Sequence, residues 1–157
     1  MRNCCFFILL FVLFSNIGQN IFADEIEEIN INPRYINGKL TVVIYYIPFS
    51  ILTRSALGIN AVKSIYHIKI EARDSDVYKF ISGINNTKYN VFDTNTGDLR
   101  CVVEFYYDNN LIFSYALAGG YMIINGKRIL DTEIFYNFII HYLPRKYEHN
   151  ILRFIKK

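Results

Sequence analysis

The sequence predicts an α+β fold, an antiparallel sheet of about five or six strands with two or three helices packed on one face. Three observations predict it. Runs rich in β-branched and aromatic residues recur along the chain, the composition of strands that pack on a core. Short turn signals separate several of them, Asp108-Asn109-Asn110, Gly119-Gly120 and Asn125-Gly126, which favours hairpins and antiparallel pairing. Other segments carry their apolar residues at helical spacing instead.

The chain opens with Arg2, an unbroken apolar run from Cys4 to Phe14, a polar stretch, and Ala23 before the acidic start at Asp24. A charged start, a short apolar segment and a small residue before the cut are the parts of a secretory signal. A membrane span needs roughly 20 apolar residues, and this run is shorter. Residues 1–23 are therefore expected to be a removable signal peptide, which makes the protein an exported one, periplasmic or extracellular. Cys4 and Cys5 open the apolar run instead of closing it, so they are not placed like the cysteine of a bacterial lipoprotein. Residues 24–157 then form a single domain, with 144–157 as a basic amphipathic tail.

In that domain, Asn37-Gly38 signals a turn and predicts a hairpin between residues 24–36 and the run Lys39–Ile47, KLTVVIYYI, a candidate central strand ending at Pro48. Residues 49–61 are hard to read, with Thr53 or Ser55 as a helix start that Gly58 weakens. From Val62 to Ala72 the alternation predicts a half-exposed strand, with Lys63, His67, Lys69 and Glu71 outward. Asp74-Ser75-Asp76 begins a helix whose Val77, Phe80, Ile81 and Ile84 share a face. A weaker strand at Tyr89–Phe92 and a polar loop, residues 93–98, lead into the surest hairpin, Arg100–Tyr107 with Leu111–Leu117. Tyr121–Ile124 and Lys127–Leu130, joined by Asn125-Gly126, continue a meander. Asp131 or Thr132 caps a second helix that Pro144 stops. The tail places Tyr147, Ile151, Phe154 and Ile155 at helical spacing, either docked on the core or facing a membrane or acidic partner.

The composition is 52% hydrophobic and 17% aromatic, with 13 Tyr and 13 Phe, far from a disordered chain. Loss of Arg2 with the signal lowers the formal net charge from +3 to +2, too little to argue for nucleic acid. Cys101 is then the sole cysteine, so no internal disulfide forms, and its alternation with Val103 and Phe105 reads as burial.

The search for chemistry is mainly negative. Neither Gly119-Gly120 nor Asn125-Gly126 has the spacing and following Lys-Ser/Thr of a phosphate loop. His67, His141 and His149 offer no short-spaced metal pair. Ser75, Ser82 and Ser114 lack a nucleophile-elbow context. No cofactor and no metal are expected. Asn85-Asn86-Thr87 matches a glycosylation acceptor.

His67, Glu71, Arg100 and Glu104 are the most enzyme-like set, on two strands read as neighbours, but cross-strand charge pairing accounts for them equally well. With Lys69 and Tyr106 on the same strands, and Asp93 and Asp98 on the polar loop, they form the candidate binding surface. The expectation is a non-catalytic protein-binding module with a protein partner, an inhibitor or a toxin-neutralising immunity-type protein by analogy. The alternative is a small-ligand binder or enzyme with an aromatic-lined pocket between sheet and helices.

Overall fold

The computed structural model describes residues 25–36, 39–93, 97–130 and 133–155. The proposed signal segment, Asn37-Gly38, loop residues 94–96 and the Asp131/Thr132 cap lie outside them. The strands are β1 (Glu25–Glu28), β2 (Leu40–Tyr46), β3 (Ile68–Ala72), β4 (Lys88–Asp93), β5 (Cys101–Tyr107), β6 (Asn110–Ala118), β7 (Tyr121–Ile124) and β8 (Lys127–Ile129). The helices are α1 (Ile59–Ile65), α2 (Ser75–Ile84), α3 (Glu133–Tyr142) and α4 (Arg145–Ile155), with a single helical turn at Pro33–Ile36. The fold is α+β, and its one sheet is antiparallel throughout, in the order β1-β4-β8-β7-β6-β5-β2-β3.

Eight strands replace the expected five or six, since the short pieces β1, β4, β7 and β8 all pair into the same sheet. The expected hairpin between residues 24–36 and β2 does not form. Glu25–Glu28 pairs with β4 at one edge of the sheet, while β2 lies between β5 and β3 near the other. Six antiparallel steps separate the two strands, so they point the same way and the chain crosses over between them. The crossover includes the helical turn, where the Asn32 side chain accepts the Arg34 N–H at 3.0 Å and Pro33 fills the first helical position.

The segment Val62–Ala72 is also corrected. Its first four residues belong to α1, and only Ile68–Ala72 is strand. Val62 is buried in either reading, so its hydrophobicity did not discriminate.

The central meander follows the turn chemistry. Asp108 and Asn109 have φ of 46° and 66°, and Asn125 and Gly126 have 51° and 79°, as a type I′ turn requires. In α2, Asp74 accepts the N–H groups of Asp76 and Val77 at 2.9 and 3.2 Å, so the predicted cap is in place.

One face of the sheet carries Val42, Ile44, Tyr46, Cys101, Val103, Phe105, Tyr115, Leu117 and Met122 against α2, α3 and α4. Aromatic rings fill the space between. Phe80 stacks on Phe138 at 4.0 Å between centroids and on Phe105 at 5.6 Å, while Phe135 meets Tyr115 edge-on at 4.9 Å. The tail joins this core, since Tyr147 and Ile151 of α4 are buried in it.

The other face is not bare. Val62 of α1, with Ile47, Leu57 and Leu99 from the loops, covers Val102, Ala116, Ala118 and Ile123 in a smaller second core. Helices therefore pack on both faces, not one. Among the described residues no helix is long and apolar enough to cross a membrane.

Candidate functional site

α1 and the loop Pro48–Leu57 cover only part of this second face. Beyond them β3, β2 and β5 form an open strip, because the register aligns Lys69 with Tyr45, Glu71 with Val43, Val43 with Glu104, and Thr41 with Tyr106. Alternation along each strand puts these side chains on one side of the sheet. All of them except the buried Glu104 line a cleft of about 250 Å³, with Arg73 and Asn109.

Glu104 sits at the inner wall of this strip and is only 4% exposed. Its carboxylate is satisfied by two donors, Lys63 of α1 at 2.6 Å and the Tyr106 hydroxyl at 2.7 Å. Tyr45 lies beneath two ammonium groups, with Lys63 5.8 Å and Lys69 5.6 Å from its centroid, an arrangement cation–π attraction favours. Tyr66 meets Tyr45 edge-on at 5.5 Å. At the rim, Arg73 pairs with Glu71 at 3.2 Å, both exposed.

The structure brings Lys69, Glu71, Glu104 and Tyr106 together as one cluster. Strands β3 and β5 are not neighbours, however. They flank β2, which contributes Thr41, Val43 and Tyr45 to the floor.

Arg100, read as an outward residue, is 6% exposed. It lies beneath the loop, where it donates to the Ile51 carbonyl at 2.8 Å, to Thr53 Oγ1 at 3.2 Å and to the Asp98 carboxylate. Asp98 also accepts the Leu57 N–H at 3.0 Å. These two residues pin a loop and do not line the cleft. His67 departs as well. It precedes β3, and its Nε2 lies 3.1 Å from the Tyr147 hydroxyl on the helix-covered side. The Asp93 side chain lies outside the described residues.

Sequence reasoning missed Lys63, Thr41, Tyr45, Arg73 and Asn109. The strand reading put Lys63 on the outward face of its segment but not among the binding residues, because only the helix Ile59–Ile65 carries it over β5 to Glu104. Tyr45 and Thr41 belong to a run whose hydrophobicity conceals its alternation, although Thr41 and Tyr45 share a parity that a face-by-face reading would have isolated.

A second hollow of about 460 Å³ is bordered by the end of α2, β4 and α3, and is lined by Gly83, Thr87, Tyr89, Glu133, Ile134 and Asn137. It is the larger, but it has one charged lining residue, whereas the cleft has Lys69, Glu71 and Arg73. The cleft is the better candidate on chemistry. Among the described residues no three His, Cys, Asp or Glu side chains cluster as metal ligands. At the glycosylation motif, Asn85 Oδ1 accepts the Ile31 N–H at 2.7 Å.

Burial raises the Tyr106 phenol, and its hydrogen bond to Glu104 raises it further, to about 12. Burial also pushes Tyr136 up to about 12 and moves Tyr46, Tyr115 and Tyr142 upward. An unfolded tyrosine ionises near pH 10. Above that pH the folded chain holds protons the unfolded chain has released, so stability is full below pH about 10 and falls as pH rises toward about 12. Absorbance at 295 nm is expected to show these phenols ionising only as near-ultraviolet circular dichroism collapses. Reversible ionisation of all 13 tyrosines near pH 10, with the spectrum intact, would contradict this.

Fold and cleft together define an α+β protein with one antiparallel sheet, a filled aromatic core and an open polar-aromatic strip. No known family matches the chain, nor does any curated protein or solved structure match it significantly.

Proposed function

We propose that this chain is an exported, non-catalytic protein-binding module that acts by covering another protein, in the manner of an inhibitor or an immunity-type protein. One observation carries the reading. The strip over β3, β2 and β5 is open to solvent, yet its polar groups are already held in place by Lys63, Glu104 and Tyr106. Aromatic side chains fixed before contact lose little entropy on binding, and such residues are the usual anchors of protein interfaces.

The rings at the centre of the sheet–helix interface stack on one another, and the hollow beside Tyr89 has one charged lining residue, which favours this reading over the ligand-pocket alternative. Export rests on the charged, apolar and small-residue pattern of residues 1–23.

The test is affinity capture with the purified protein from native extracts of its source, followed by mass spectrometry. A stoichiometric protein partner is expected, with affinity lowered about tenfold or more by Tyr106→Ala and by Lys69→Ala. Lys69 is exposed, whereas Tyr106 is half-buried and donates to Glu104, so circular dichroism must show both variants folded before their affinities are compared. A co-purifying small molecule without a protein would overturn the reading, and undiminished retention by both variants would remove this strip as the contact surface.

A further inference from the structure

Among the described residues the sheet has two edges without a further strand, and their charges differ in kind. Strand β1 reads Glu25-Ile26-Glu27-Glu28, acidic along its length, so two copies of it repel. Such single-sign charging is how exposed edges avoid pairing with themselves. Strand β3 reads Ile68-Lys69-Ile70-Glu71-Ala72 and, among the described residues, pairs on one side only, with β2. Its Lys69 and Glu71 are exposed, while Ile68, Ile70 and Ala72 are partly buried against the helix-side core.

Antiparallel self-pairing of β3 has one register that suits both faces. With Ile70 opposite Ile70 of a second copy, Lys69 faces Glu71 twice, and Ile68 faces Ala72 twice on the helix side. Centring on Lys69 sets two lysines against each other. Centring on Glu71 opposes two glutamates and sets Lys69 against Arg73. An odd shift places outward residues opposite inward ones and loses both patterns.

We propose that a second copy of this chain occupies the β3 edge, joining two sheets across a two-fold axis centred on Ile70. The contact is isologous and closed, so it yields a dimer and not a fibre. Its cross-strand ion pairs set the register, and the edge's unpaired backbone groups gain partners. Because Lys69 and Glu71 also border the cleft, the two clefts become neighbours across the axis. The inference goes beyond the binding reading and stands without it.

The test is sedimentation velocity of the purified protein over a range of concentrations, in low and high salt. A discrete monomer–dimer equilibrium that weakens with salt is expected. Lys69→Glu and Glu71→Lys each set like charges opposite each other and are expected to weaken dimerisation by about 30-fold. The double exchange Lys69→Glu/Glu71→Lys restores opposite charges and is expected to restore the dimer. Circular dichroism confirms that each variant is folded, as surface substitutions allow. A monomer at every concentration overturns the proposal, as does a dimer indifferent to both single reversals. Open-ended polymers, the signature of β3 pairing with the acidic β1 edge, also overturn it.

Discussion

Arg100→Ala is expected to destabilise the fold by about 3 kcal/mol, because it removes a buried guanidinium that holds three groups together. At 6% exposure, Arg100 bridges the Ile51 carbonyl, Thr53 Oγ1 and the Asp98 carboxylate. Asp98 in turn fixes Leu57, a member of the second core with Val62 and Val102. Losing the clamp frees the loop that helps enclose this core. Arg100→Lys should recover little, since one ammonium cannot reproduce the planar fork that meets the carboxylate and the carbonyl. Urea denaturation measures the loss, and hydrogen exchange should show the Leu57 and Leu99 amides losing protection before those of β5. A loss below about 1 kcal/mol would mean that water replaces the guanidinium and that the clamp is dispensable.

The second large effect is expected at the cleft. Lys63→Met should cost about 2 kcal/mol, since it leaves the Glu104 carboxylate buried with the Tyr106 hydroxyl as its remaining side-chain donor. The pair is asymmetric. The Glu104 side chain is 5% exposed and that of Lys63 is 34%, so an orphaned lysine can turn to water whereas an orphaned carboxylate cannot. Glu104→Gln alone should therefore cost less, about 1 kcal/mol. Adding it to Lys63→Met should recover stability, because a neutral amide is cheaper to bury than an unpaired carboxylate. A double-mutant cycle reads this coupling directly. Additive losses would show that Lys63 and Glu104 contribute independently and that the cleft wall is not held by their pairing.

Both predictions concern residues that a strand pattern treats alike. Arg100, Glu104 and Tyr106 share one parity, and alternation correctly assigns them to one face. It cannot say what lies over that face. Arg100 and Glu104 are buried by the loop and by α1, while Tyr106 remains half-exposed at the end of the strand. Likewise, alternation placed His67 with Lys69 and Glu71, but strand geometry begins only at Ile68, so the His67 ring is free to turn toward Tyr147.

Local chemistry determined the elements that depend on neighbours in sequence. The Asp74 cap, the apolar faces of α2 and α3, the positive-φ turns at Asp108-Asn109 and Asn125-Gly126, and the meander from β5 to β8 were legible because each is governed by residues within a few positions. The α+β class and the burial of Cys101 followed from the same patterns. Only the tertiary structure decided that β1 pairs with β4 at the far edge, that β2 separates β3 from β5, that α1 lies on the second face, and that Lys63 reaches Glu104 across 41 residues. The physical reason is that strand order and second-face cover arise from competition between distant segments for apolar surface and backbone partners. Hydrophobic periodicity records that a face is buried, and leaves open what buries it.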